Sequence, residues 1–201
     1  MILHEDTHLL VVHKVAGLTT EGTVGSLEDQ MQQGRRFVRA AHRLDKAASG
    51  IVIFAKSSKA LARLHKAFRE RLLTKSYVAW IEGDLEEQEG VLDDFLVKEE
   101  HRARIADCKE IGAKRAILRY RRLQKGLLHI DLDTGRYHQI RVQLASRGHP
   151  IWNDHKYGAK QQSDMLGIGL HHYRIALMHP VTKEPYVFTH QPSFIGDKNE
   201  T

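Results

Sequence analysis

His42-Arg-Leu-Asp-Lys-Ala-Ala-Ser-Gly50, running directly into Ile51-Val-Ile-Phe-Ala55, is the stretch on which the reading of this chain turns. One carboxylate, Asp45, stands between Arg43 and Lys46. The five apolar residues that follow have the length and composition of a strand buried on both faces. Opposite charges close by favour the ionised carboxyl, so the anion is available at neutral pH as a nucleophile or base. Taken alone, such a neighbourhood is an ordinary solvated ion pair worth less than ~1 kcal/mol. Its meaning depends on what else converges on Asp45.

Immediately downstream, Ser57-Ser58 offers a helix N-cap, and Leu61, Leu64, Phe68 and Leu72 recur at helical spacing with Lys59, Arg63, Lys66 and Glu70 opposite. The expected helix packs through one face and presents cations on the other. From Arg35 to Lys75 there are twelve Lys or Arg against two acids, a local +10 in a chain of net charge +6, so the remainder sums to −4. Positive charge gathered around one anionic centre is the footprint of a polyanion-binding face, since each neutralised phosphate releases counterions. Lys46, Lys59, Arg63 and Lys66 are the expected backbone contacts.

Upstream, Leu9-Leu-Val-Val-His13 with Lys14 and Ala16-Gly17 reads as a short buried strand entering a turn. Residues 19 to 36 read as loop around a short helix marked by Leu27 and Met31. Downstream, Lys75 to Ile81 is a strand by its aromatic and β-branched content. Residues 84 to 112 are charged and Gly-punctuated, with a weak strand at Val91 to Val97 and a basic cluster at His101, Arg102 and Arg104. Arg115 to Leu123 reads as a strand. Leu128 to Asp133 alternates at period two and is turned by Thr134-Gly135. Arg136 to Pro150 reads as a helix with Ile140 and Leu144 inward, ended by Gly148 and Pro150. Its first turns carry Arg136, His138, Gln139 and Arg141, donors suited to a carboxylate or phosphates. Leu170 to Leu177 and Tyr186 to Phe188 form an expected last hairpin, and 193–201 an expected loose tail. Strands outnumber helices without regular alternation, so the class is α+β.

With 201 residues the chain is read as one domain. The N-terminal Met-Ile-Leu-His-Glu-Asp lacks the pattern of a signal peptide, and no apolar run reaches membrane-spanning length. Cys108 is the only cysteine, so neither an internal disulfide nor a cysteine metal cluster can form, which points to a reducing cytoplasm. Fourteen histidines raise metal-dependent hydrolysis as a reading. His4 and His8 bracket an irregular terminus, however, and His171 and His172, being adjacent, point to opposite faces of a strand. The expectation is no metal.

Six blocks, in order, resemble the RluA-type pseudouridine synthase family: Glu5-Asp6 with Leu9 to Lys14 and Ala16-Gly17; His42-Arg43-Leu44-Asp45 with Ser49-Gly50; Lys75 with Tyr77; Gly135-Arg136 with His138-Gln139-Ile140-Arg141; Gly148 to Ile151 with Asp154 and Tyr157-Gly158; and Leu170-His171 with His179-Pro180. The resemblance implies isomerisation of uridine to pseudouridine in ribosomal or transfer RNA, on a mixed, mainly antiparallel sheet flanked by helices. It implies no cofactor, no metal, no membrane and a monomer.

Carried over residue by residue, Asp45 resembles the family's nucleophile or base and Arg141 the arginine that pairs with it. Tyr77 resembles the ring stacked beside the target base, and Arg43 the residue that enters the gap left by a flipped nucleotide. His42, Lys75, Arg136, His138 and Gln139 fall in motifs expected to contact substrate, although hydrogen bonds that pin the motifs together are the more ordinary task for His42 and His138. The chain departs from the family pattern at Val15, Ala48, Leu118 and Asn153, changes read as loop geometry. The first block begins at Glu5, so recognition is expected from the catalytic domain itself. A competing reading is an RNA-binding module of the same fold whose catalysis has lapsed.

Overall fold

Residues 49 to 55 contain no polar side chain beyond Ser49, and they form strand β4 (Ser49–Ala55), in which every residue after Ser49 is buried. β1 (Ile2–Glu5) lies antiparallel to β2 (Leu9–Lys14), and β2 lies antiparallel to β4 along its whole length, from Leu9 opposite Ala55 to Lys14 opposite Gly50. The other edge of β4 takes the two-residue β3 (Arg39–Ala40) at one end and β10 (Leu170–Met178) at the other. The β4–β10 pairing is parallel, His171 opposite Ser49 and His172 opposite Gly50. β11 (Pro185–Thr189) closes the expected hairpin against β10.

This is the sheet of one of two compact units in the computed structural model, which describes residues 1–196. The first unit comprises Met1–Lys75 and the chain from His171 onward; the second is Ser76–Leu170. In the first unit, helix α1 (Leu27–Gln32) is capped by Ser26 and buries only Leu27. Helix α2 (Ser58–Arg69) is capped by the Ser57 hydroxyl, which accepts from Ala60 N, and its Ala60 and Leu64 pack on Ile51 and Ile53 of β4. Leu72 departs from the expected stripe. The helix ends at Glu70, Arg71 turns left-handed at φ 57°, and Leu72 is 63% exposed while Leu73 joins the core.

Within the second unit the sheet is antiparallel throughout, in the order β5 (Thr74–Trp80), β9 (Leu127–Leu132), β8 (Lys114–Gln124), β6 (Glu89–Lys98), β7 (Ala103–Ala106). Residues 84 to 112 are thus more regular than the sequence suggests. The weak strand extends to ten residues, and the basic cluster partly forms a strand of its own. Charged positions tolerate this because they find partners on the exposed face: Arg115 pairs across the ladder with Asp93, at 2.9 Å from its Nε, and Arg104 pairs with Glu99 and Glu110 in the flanking turns.

The expected long helix from Arg136 is much shorter. Helix α3 runs only Gln139–Ala145, because His138 sits in the left-handed region at φ 52° and breaks the chain from any earlier turn. Nor is it amphipathic. Gln139, Arg141 and Gln143 are buried with the apolar residues, and Gln143 Nε2 donates to Leu92 O, Asp94 Oδ2 and Ala116 O, fixing α3 on β6 and β8. Gly148, at φ 83°, ends it as expected. A 3₁₀ turn follows at His155–Tyr157. Of the expected loose tail, Ser193–Gly196 forms a short helix, α4; residues 197 to 201 lie outside the described residues. No described helix is long and apolar enough to cross a membrane. The mixed sheet with few helices is the expected α+β class.

Candidate functional site

In the first unit, His42, Arg43, Asp45 and Lys46 lie on the loop between β3 and β4. The backbone there is held from two sides. Thr20 Oγ1 donates to Leu44 O at 3.2 Å and accepts from Leu44 N at 3.1 Å. Lys14, the last residue of β2 and fully buried, donates its ammonium to Val15 O, Leu18 O and Lys46 O, and Gly17 N also reaches Lys46 O. Asp45 is half-buried between these two anchors.

Burial pushes the Lys14 ammonium down to about 8, and the Asp45 carboxylate pulls it back up. Lys14 is therefore a buried cation beside the Asp45 loop, in addition to the sequence neighbours Arg43 and Lys46. Lys14 appears in the sequence only as the end of an apolar strand. Its signal, a lysine in register with Leu10 and Val12 on one face, is easily taken for a strand terminus.

His42 makes a hydrogen bond of the pinning kind. Its Nε2 accepts from Ile53 N at 3.2 Å, and its ring meets His172 edge-on and Phe68 at 5.0 Å. Desolvation holds the imidazole well below its usual value, and His172 and Lys75 push it further. A neutral ring whose Nε2 accepts from the backbone of β4 carries no positive charge at neutral pH and stitches the motif to the strand. Lys75 is itself lowered, by burial and then by Arg71.

Arg43 and Lys46 are exposed, with Arg43 Nη1 3.8 Å from Glu21. On α2, Lys59 and Lys66 are exposed, Lys66 4.0 Å from Glu70. Arg63 is less available than expected, since its Nη1 donates to Pro180 O at 2.9 Å.

The second unit holds Tyr77, Arg136, His138, Gln139 and Arg141. Tyr77 is buried on β5 opposite Ile130. Arg141 is 5% exposed and grips Asp154 with two parallel bonds, Nε to Oδ2 at 2.7 Å and one Nη to Oδ1 at 2.8 Å. Its guanidinium also lies 5.0 Å from the centroid of the Tyr157 ring. Tyr157 is a hub: its hydroxyl accepts from Ala103 N at 2.7 Å, lies 3.3 Å from Ala103 O, and is 2.9 Å from His138 Nδ1, whose ring stacks on Tyr137. Asp154 and Tyr157, quoted in the sequence only as part of a matching block, therefore frame Arg141.

Gln139 Oε1 accepts from Thr134 Oγ1 at 2.7 Å and from Arg136 N at 3.0 Å, while its buried Nε2 has no bonding partner among the described residues. Arg136 is exposed but tethered, its Nε donating to Arg115 O. Of the four donors expected on one helix, only Gln139 and Arg141 are helical; Arg136 and His138 belong to the tight turn before it.

A family model described as RNA pseudouridylate synthase matches residues 8–146. The chain is 35% identical to the dual-specificity RNA pseudouridine synthase RluA of Pasteurella multocida, over 96% of this chain and 93% of that one. It is 34% identical to the ribosomal large subunit pseudouridine synthase C of the same organism, over 91% of this chain but 61% of the relative, and 32% identical to an uncharacterised RNA pseudouridine synthase of Bacillus subtilis, of which it spans 65%. Among solved structures, human RNA pseudouridylate synthase domain containing 1 superposes with a TM-score of 0.81 at 22% identity, covering 96% of this chain and 83% of that one, which is a likeness of fold. With a family match over most of its length and relatives above 30% identity along nearly all of it, this chain belongs to the RNA pseudouridylate synthase family, in its RluA-type branch, a family of RNA-modifying isomerases.

Proposed function

We propose that this protein isomerises a uridine in structured ribosomal or transfer RNA to pseudouridine, with Asp45 as the nucleophile or base. The bond between N1 and the sugar breaks, a bond between C5 and the same sugar carbon forms, C5 loses its proton and N1 gains one. Atoms balance without oxidant, reductant or metal, so acid–base and nucleophilic side chains suffice. The observation that carries the reading is the Asp45 loop: a carboxylate on a backbone clamped by Thr20 and by the triply bonded, buried Lys14, in the segment where the chain concentrates its positive charge. A carboxylate on a fixed backbone, within a cationic setting, is what attack at a ribose or base demands.

The other roles follow from the family resemblance and stand beside that one. Arg141 is the cation that the resemblance assigns to the reaction, and its bonds to Asp154 leave the guanidinium oriented rather than mobile. Tyr77 stacks beside the base and takes the C5 proton. Arg43, exposed and only loosely paired with Glu21, enters the stack when the nucleotide leaves it, offsetting part of the few kcal/mol that unstacking costs. Gln139 has a buried amide donor to offer a substrate carbonyl or phosphate. Lys46, Lys59 and Lys66 meet the RNA backbone, with Arg63 contributing less. The protein acts in the cytoplasm as a monomer.

The test is release of tritium from carbon five of labelled uridine, in total RNA from cells lacking the protein. Wild type should release label and Asp45→Asn should not, while RNA binding by the variant stays within a few-fold. If binding and turnover fall together, Asp45 is a binding residue. If neither protein releases label and both bind, the catalytic machinery has lapsed.

A further inference from the structure

Three histidines of the first unit come together away from the Asp45 loop. His13 is on β2, His171 on β10, and His190 directly follows β11, so three separate stretches of the sheet each contribute one imidazole. His190 Nδ1 lies 3.3 Å from His171 Nε2. The His13 and His190 rings are 3.8 Å apart, and His13 and His171 are 5.6 Å apart, between centroids. One ring nitrogen from each of the three lies within 4.8 Å of the others. His171 is buried and the other two are half-buried, which leaves a way in.

We propose that His13, His171 and His190 form a binding site for a divalent transition-metal ion, Zn²⁺ by the nature of its ligands. Two nitrogens each about 2.0–2.1 Å from a tetrahedral zinc are separated by roughly 3.3–3.4 Å. The His171–His190 pair already has that spacing, and His13 closes the third position by rotating its ring out of the stack. The donor set is all imidazole, with no carboxylate in the group, which suits zinc, copper or nickel and disfavours the hard cations Ca²⁺ and Mg²⁺. Three protein ligands leave the fourth position to water.

The outer partner of the central ligand is also in place. Ser49 Oγ lies 2.7 Å from His171 Nδ1, so the hydroxyl can accept from Nδ1–H and turn the Nε2 lone pair toward the ion. That Nε2 lies 3.0 Å from His190 O. Binding exchanges this contact for the metal and fixes one tautomer. Because Ser49 begins β4, four residues after Asp45, the ion ties β2, β4, β10 and the end of β11 together. The site is independent of the reaction proposed above.

The experiment uses the full chain without an affinity tag, stripped with a chelator that is then removed, and titrated calorimetrically with Zn²⁺ at pH 7.5. One equivalent should bind, and Co²⁺ should give the visible d–d absorption of a four-coordinate site. His13→Asn and His190→Gln should each weaken Zn²⁺ by at least about tenfold, and Ser49→Ala by about tenfold through the lost outer-shell bond. His65→Ala, an exposed histidine on α2, should change nothing. X-ray absorption on the zinc-loaded wild type, which needs no variant to fold, should count three imidazoles. Absence of stoichiometric binding, wild-type affinity in both ligand variants, or fewer than three imidazoles around the ion overturns the proposal.

Discussion

Asp154 and Arg141 are almost fully enclosed, at 1% and 6% side-chain exposure, and their two parallel bonds are what make that burial tolerable. Removing one partner leaves an uncompensated charge in low dielectric, at a cost of about 3–5 kcal/mol. Asp154→Ala should therefore lose stability of that order in urea unfolding, and Arg141→Met combined with Asp154→Leu should recover much of it. A loss below about 1 kcal/mol for Asp154→Ala would mean that Arg141 is held by something else. Asp45 was legible in the sequence because its motif is local, with cations one and two positions away. Asp154 was not, because it sits in a turn without periodicity and its partner is thirteen residues distant. The same holds for Lys14, whose three carbonyl acceptors become visible only once the loop at Lys46 is folded over it.

Among the elements, β4 and α2 as far as Arg69 are legible in the sequence because their signals are strong and short-ranged: a wholly apolar run, then a serine cap before a helical stripe. Helix α3 was overextended because Arg136 to Gly148 has helical composition, and only tertiary contacts force His138 into a left-handed turn. The junction of β4 with β10 is the tightest of these assemblies. Gly50 has φ +127°, and a Cβ there would stand 2.5 Å from both N and O of His172. Gly50→Ala should prevent the parallel pairing and cost well above the ~1–3 kcal/mol of ordinary overpacking; a thermal midpoint within a few degrees of wild type would contradict this. On α2, combined replacement of Lys59, Arg63 and Lys66 by Ala should weaken RNA binding and reduce the slope of log K against log salt. The reduction should be about two rather than three, since Arg63 is tied to Pro180 O. Binding that kept its full salt slope would remove α2 from the interface.

Across the whole molecule, the buried histidines set the acid limit. Desolvation lowers His172 to about 4 and His171 to about 3, and holds His42 well below its usual value. The unfolded chain takes up these protons near 6.5 and the folded one does not. Their contribution to stability is therefore level above about 6.5 and falls as the pH drops from there towards 4, by up to about 3 kcal/mol for His172 alone. Hydrogen bonds from Arg35 and Lys56 bring Glu5 to about 2, and bonds from His8 N, His4 and Leu9 N outweigh burial to bring Asp6 there as well. What those carboxylates contribute is lost only below about 4. Urea midpoints measured from pH 8 to 4 should decline from about 6.5, and the decline should be shallower in His172→Gln. A midpoint constant down to pH 4 would show that these rings can charge in the folded state.

The sequence by itself determined the α+β class, the placing of β2, β4, α2, β5, β8 and β9, and the family, because alternation, capping and contiguous motifs are properties of neighbouring residues. It also singled out Asp45. Tertiary structure alone decided that β4 and β10 run parallel, that His42 serves the backbone of β4, that Lys14 anchors the Asp45 loop and that Asp154 grips Arg141. Each of these joins groups from 11 to 122 positions apart. Burial raises the strength of such pairings and the penalty for leaving them unmade, and burial belongs to the folded chain, not to any short window of its sequence.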